Sequence, residues 1–172
     1  VKGLFEEGNY TPGGFVELGE LRQYVLAKLM WDPDCDVRRH IQEFMAGVYG
    51  MAGVPLLAYF DLLHEQVAAP DRHLGIYDEP TAAYLSEDFM LRAQKLFDEA
   101  CRLADTPQIL ERVKKAELSL EFVRLARMPL EAQGRVQAVE EFFQKVEHFG
   151  IARIREWYPW EVSREKMLKG EL

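Results

Sequence analysis

Four polar residues near the start of the chain are of the types that contact sugars in glycosidases. Glu6, Glu7, Asn9 and Tyr10 follow a short apolar stretch, as residues at the end of a β-strand do. Active sites of β/α barrels lie at such strand ends, and glycoside hydrolysis typically uses two carboxyl groups. Adjacent Glu6 and Glu7 would point to opposite faces of a strand, so they cannot form that pair. We predict these four residues as substrate-binding and assign no catalytic residue; ordinary charges at a strand end are the alternative.

A second group alternates aspartates, at Asp32, Asp34 and Asp36. This spacing is that of the opening of a calcium-binding loop. Val37 stands where that loop needs glycine for a sharp turn, and the residues after it have helical spacing. We therefore predict a turn between two helices, broken by Pro33 and followed by an aspartate that caps the second helix. Calcium binding is the minority alternative.

The third group is aromatic. Trp157, Tyr158 and Trp160 surround Pro159 near the end of the chain. Aromatic faces can stack on sugar rings, but large aromatic side chains more often close a helical core. We favour the core-sealing interpretation and keep sugar stacking as the alternative.

The remaining residues that could carry chemistry have no motif spacing. The histidines show no metal-ligand pairing, and neither a phosphate-binding glycine loop nor a nucleophile elbow occurs. Two cysteines far apart in sequence, Cys35 and Cys101, are expected to be free thiols. We predict no metal and no cofactor. The histidines are His40, His64, His73 and His148.

Composition narrows the possible partners. The chain has 172 residues, about half of them apolar, with 21 basic and 29 acidic residues and a formal net charge of −8. That charge argues against a general nucleic-acid binder, which needs basic surface. No uninterrupted apolar run reaches the roughly 20 residues of a membrane-spanning helix, so no membrane partner is predicted.

Apolar periodicity predicts a mainly α fold that must position these groups. Turn and capping residues divide the chain into about six helices, with a strand-like segment in front of them and a loop at 70–80. Residues 151–155 fit a short strand or a linker. These helices are predicted at 15–31, from Asp34 or Asp36 to Gly50, at 53–67, after Ser86, from Pro107 to Met128, and from Pro129 to Gly150, with a short terminal helix after Ser163 in addition.

Several of these stretches resemble a known bacterial family. The most specific part of the resemblance is the run that ends the first helix and forms the aspartate turn. The other matching parts are helical stretches with less specific sequences. The matching stretches are Lys2 to Gly8, Leu18 to Leu29, Leu29-Met30-Trp31-Asp32-Pro33-Asp34 with Asp36, Phe44 to Gly50, Ala116 to Leu120, and Gly150 to Arg153. Together they resemble domain-of-unknown-function family 4838.

The resemblance implies a larger architecture. Members of that family are related to α-glucuronidases and other barrel glycosidases, and are large exported proteins of bacteria that degrade glycans. By this likeness, residues 1–31 are the last strand and helix of a (β/α)8 barrel, and residues 32–172 are a helical, bundle-like C-terminal domain. The likeness also implies a periplasmic or extracellular location. In α-glucuronidases a comparable helical region helps form dimers.

Two functional hypotheses follow. The first is the C-terminal helical portion of a glycoside hydrolase for complex, including uronic-acid-containing, glycans. In it the chain supports the barrel and the glycan site and is not a complete enzyme on its own. Its partner is a glycan bound by the full-length protein, with a homodimer also considered. The second is a non-catalytic helical module for protein interaction or dimerisation.

Overall fold

The computed structural model describes residues 15–68, 74–75, 78–155 and 157–171. Within these ranges the chain is helical, and no β-strand forms. The predicted mainly α fold is confirmed. The helices are α1 Gly19–Trp31, α2 Val37–Tyr49, α3 Gly53–Val67, α4 Glu87–Leu103, α5 Pro107–Arg127, α6 Arg135–His148 and α7 Trp160–Lys169, with 3₁₀ turns at Gly50–Ala52 and Ala83–Leu85.

Local capping residues start several helices where the sequence predicts. The Ser86 hydroxyl accepts a hydrogen bond from the Phe89 amide at 3.2 Å, and Thr106 caps α5 in the same way with Pro107 as its first residue. Asp36 caps α2 through its Oδ1, which accepts from the Arg39 amide at 3.0 Å. These three predictions are confirmed.

The chain divides into two compact units. The first comprises Val1–Ile41 and Pro129–Leu172, and the second Gln42–Met128. The division falls inside α2. The boundary at residue 31 expected from the family likeness stays a prediction.

In the second unit, α3 packs on α4 and α4 on α5. Tyr59 of α3 lies between two phenylalanines of α4, with ring centroids 4.7 Å from Phe97 and 6.4 Å from Phe89. Arg127, at the end of α5, donates to the carbonyls of Pro80 and Leu85, each at 2.6 Å. These bonds fasten the segment before α4 to the far end of α5.

In the first unit, α6 packs on α7 around a core that includes Phe142, Phe143 and Met167. Arg164 of α7 forms a two-pronged ion pair with Glu140 of α6, with Nε to Oε2 at 2.7 Å. The Arg164 side chain holds the pKa of the Glu140 carboxyl below its usual value, chiefly through hydrogen bonding.

The inward face of α6 differs from its prediction at one position. The apolar periodicity of this helix predicts Val136 in the core together with Val139, but Val136 is 63% exposed. Arg135 is buried instead, and its guanidinium donates to the Met167 carbonyl of α7. Arg135 lies four residues before Val139, on the buried face, so helical geometry turns its neighbour outward. Arginine fills this place because its stem packs like an apolar side chain while its head finds an acceptor.

The stretch from α2 to α3, Val37–Val67, is the one helical stretch among the described residues that is long and apolar enough to cross a membrane by length and composition. The core helix of a soluble protein meets the same criterion, and 39% of the apolar window is buried in this fold. The predicted absence of a membrane partner stays a prediction.

Candidate functional site

The four residues predicted to bind substrate lie outside the described part of the chain. Glu6, Glu7, Asn9 and Tyr10 therefore stay predictions. His73 also lies outside the described residues. The aromatic group near the end of the chain lies among the described residues.

The end of α6 leads directly into that group. Gly150 adopts a left-handed conformation with φ 67°, which a residue with a side chain rarely adopts. The Gly150 amide bonds to the Glu147 carbonyl and the Ile151 amide to the Val146 carbonyl, an arrangement that closes the helix. Ile151 then enters the core. The predicted helix end at Gly150 is confirmed.

The two tryptophans in the aromatic group have different environments. Trp160 is half-buried and stacks on Phe143, with ring centroids 5.8 Å apart and planes 24° apart. Trp157, three residues earlier, is 79% exposed. The core-sealing prediction is therefore confirmed for Trp160 and wrong for Trp157. The difference arises because Trp160 begins α7, which packs on α6, whereas Trp157 lies in the turn before it.

Two backbone interactions close that turn. The Trp160 amide donates to the Ala152 carbonyl at 3.1 Å, and inside this loop Arg155 and Tyr158 form an isolated antiparallel bridge. Side chains paired in this way share one side of the backbone, with Cβ atoms about 5 Å apart. Residues 151–155 are thus a linker that ends in one bridge, where the sequence left strand and linker open.

A cation from α7 completes the cluster. The Lys166 ammonium lies over the Tyr158 ring, 5.5 Å from its centroid, at cation–π distance. Arg155, Trp157, Tyr158 and Lys166 together are called the basic aromatic turn below. Exposed Glu161 and Glu165 also lie on α7, so this part of the chain carries charges of both signs.

The aspartate turn is structural. The Asp34 amide donates to the Asp32 carboxylate at 3.1 Å, and Asp36 caps α2 as described. Among the residues that the structure describes, no three His, Cys, Asp or Glu side chains are placed to hold a metal ion. Trp31 stands beside this turn and is 93% exposed. The predicted turn between two helices is confirmed.

Residues 1–61 match the family model described as "Domain of unknown function (DUF4838)". This segment belongs to the DUF4838 family. No curated protein and no solved structure matches the chain. The match confirms the family resemblance for the stretches within residues 1–61, and the stretches at 116–120 and 150–153 lie outside it and stay predictions.

The DUF4838 segment includes the predicted substrate-binding residues at 6–10 and the aspartate turn. In the described structure it covers α1, α2 and the first part of α3. The basic aromatic turn lies beyond it. The family match therefore bears on the start of the chain and not on the turn.

The two cysteines are free thiols, as predicted. Burial raises the pKa of the Cys101 thiol, and the nearby negative charges of Glu117 and Asp98 raise it further. A raised pKa leaves less thiolate at neutral pH, so Cys101 is a poor nucleophile.

Sequence reasoning missed the basic part of the turn. The signal available was Arg155, two residues before the Trp-Tyr-Pro-Trp run. Nothing in the spacing indicated Lys166, because it lies eight residues after Tyr158 and reaches that ring only when α7 begins at Trp160.

Proposed function

We propose that this chain is the C-terminal helical portion of a glycoside hydrolase that acts on complex glycans, including glycans that contain uronic acids. The observation that carries the proposal is the DUF4838 match over residues 1–61, which includes the carboxyl, amide and phenol groups at residues 6–10. In this proposal the helices support a barrel whose glycan site receives one of these side chains. The likeness to exported glycan-degrading proteins supports a location in the periplasm or outside the cell.

Separate Glu6→Gln and Glu7→Gln variants of the whole protein test this proposal. On a strand only one of the two side chains faces the substrate, so one variant should lose activity and the other should keep it. Loss of a charged hydrogen bond to substrate costs about 1.5–3 kcal/mol, or roughly a 10- to 150-fold fall in kcat/KM. The measurement is turnover of uronic-acid-bearing oligosaccharides.

Glu131→Gln, at an exposed position before α6, is the matched control and should leave turnover unchanged. Unchanged turnover in both the Glu6 and Glu7 variants would remove the predicted substrate contact. An absence of glycan turnover by the unmodified protein would count against the hydrolase itself.

A specific observation favours a second candidate function, dimerisation through α1. Leu26, Met30 and Trp31 are exposed large apolar side chains on the outer side of this helix. Arg22 lies toward the start of that face and Asp32 just beyond its end, both exposed. Two antiparallel copies of α1 would bring their apolar residues together and place each Arg22 near the partner's Asp32. We propose a second copy of this chain as the alternative partner of that face.

Leu26→Glu should then shift the protein from dimer to monomer in sedimentation velocity. A buried glutamate at the centre of the face would disrupt an interface of roughly 800 Å² per partner. Leu91→Glu, the same substitution at an exposed leucine of α4, is the control. A protein that is monomeric before any substitution would contradict this alternative, and a dimer without glycan affinity would favour it over the hydrolase.

A further inference from the structure

We infer that residues 78–86, called the strap below, are a conformational device of the second unit. The strap opens and closes as one body over α3 and α4, and Arg127 of α5 holds it closed. It includes the 3₁₀ turn Ala83–Leu85 and ends at Ser86, the residue that caps α4. Neither the strap nor Arg127 lies in the DUF4838 segment, so the inference stands apart from the proposed hydrolase function.

The first support is that little apolar burial holds the strap in place. None of residues 78–86 is buried, and the half-buried ones are Pro80, Ala82, Tyr84 and Leu85. The helix that follows is different, because Phe89 and Phe97 of α4 are almost fully buried. Segments with few buried apolar contacts open at a lower free energy than the core does. The strap can therefore open while α3 and α4 stay folded.

The second support is that one side chain fastens the strap to another helix. The Arg127 guanidinium donates to the Pro80 and Leu85 carbonyls, each at 2.6 Å. Within the described part of the chain, residues 78–85 make no other hydrogen bond to an α-helix. Hydrogen bonds from a charged donor are stronger than neutral ones, so these two dominate the attachment. Glu87 of α4 also lies 4.0 Å from this guanidinium but is 90% exposed, and such a pair contributes little.

The third support is that the strap is tied to itself. The Tyr84 hydroxyl hydrogen-bonds to the Asp78 side chain and so joins the two ends of the segment. Between these ends, the Ala82 and Leu85 amides donate to carbonyls within the strap, each at 2.9 Å. Because all of these bonds lie inside the segment, they persist when Arg127 releases it. The strap therefore moves as one body and does not fray residue by residue.

Opening changes what the second unit presents to solvent. The 3₁₀ turn of the strap contacts both α3 and α4, so opening uncovers the parts of those helices that it covers. It also releases the donors of Arg127, whose side chain is 19% exposed in the closed state. The two states thus differ in exposed surface and in exposed charge. That difference is what allows a partner to bind one state in preference to the other.

Native-state hydrogen exchange of the unmodified chain tests the opening itself. The Ala82 and Leu85 amides report on the strap, and the Phe97 amide reports on the core of α4. We expect Ala82 and Leu85 to have protection factors within about threefold of each other and little dependence on urea, since one small opening exposes both. Phe97 should be more protected by roughly tenfold or more and depend steeply on urea, because its exchange requires the core to unfold.

Arg127→Met tests the role of the guanidinium, since methionine keeps an unbranched stem and has no donor. Exchange at Ala82 and at Leu85 should accelerate by the same factor, roughly tenfold, because the opening of both amides breaks the Arg127 bonds. The matched control is Arg124→Met, the same substitution three residues earlier on α5 at a side chain that is 65% exposed. It should leave exchange at both amides unchanged.

Three results would overturn the inference. Equal protection of the strap amides and Phe97 would show that the strap opens only when the core unfolds. Clearly different protection of Ala82 and Leu85 would show separate fraying. Unchanged exchange at both amides in Arg127→Met would show that Arg127 does not hold the strap. The first two results come from the unmodified chain and do not depend on the folding of any variant. Glycan turnover enters none of these measurements, so the hydrolase proposal stands or fails separately.

Discussion

Phe143→Ala should lower the free energy of unfolding by about 3–5 kcal/mol, the cost of truncating a fully buried aromatic side chain. Phe143 is 1% exposed and contacts two other aromatic rings, Trp160 at 5.8 Å and Phe142 at 5.1 Å between centroids. Its removal leaves a cavity between α6 and α7 at the place where the turn is anchored. Urea unfolding followed by circular dichroism measures the change.

The matched control for that variant is Val136→Ala on the same helix. Val136 is largely exposed, so its truncation should change stability by no more than about 0.5 kcal/mol. The fluorescence of Trp160 should also shift to longer wavelength in Phe143→Ala, because that indole loses its stacking partner. Equal effects of the two truncations would show that the α6–α7 core is not packed around Phe143.

Gly53→Ala should also be strongly destabilising, by about 1–3 kcal/mol. A Cβ atom built at Gly53 lies 2.4 Å from the carbonyl oxygen of Met45 and 2.7 Å from its carbonyl carbon. Both are backbone atoms of α2, so no side-chain rotation relieves the clash. Gly53 has ordinary helical dihedral angles, φ −64° and ψ −23°, which any residue can adopt. Glycine is therefore required here by the close approach of the two backbones and not by its conformational freedom.

Gly47→Ala is the opposing control. This glycine lies inside α2, and a Cβ atom there meets nothing within 4 Å. Alanine should therefore stabilise the protein by about 0.5–1 kcal/mol through its better helix propensity. Thermal or urea unfolding of the two variants should give changes of opposite sign. A neutral or stabilising Gly53→Ala would contradict the contact at Met45.

Local signals in the sequence were reliable because they act over a few residues. Ser86, Thr106 and Asp36 cap helices through backbone amides three residues away, and those contacts form wherever the helix itself forms. Gly150 ends α6 for an equally local reason. The mainly α fold was predictable because apolar residues recur at helical spacing along the chain.

Helix starts without a capping side chain were placed wrongly. The helix expected from Pro129 begins at Arg135, and the one expected after Ser163 begins at Trp160. Neither Gly134 nor Pro159, the residues just before α6 and α7, offers a side-chain hydrogen bond to the helix. Without that local signal, packing between α6 and α7 decides where each helix begins.

The sequence by itself determined the helical pattern, the caps, the aspartate turn and the family resemblance of the first 61 residues. Only the tertiary structure decided which aromatic residues face solvent. Trp157 and Trp160 are the same residue type three positions apart, and no propensity separates them. The packing of α7 on α6 buries one against Phe143, leaves the other exposed, and brings Lys166 over Tyr158. Burial is a property of neighbours from distant parts of the chain, and a short window of sequence does not contain them.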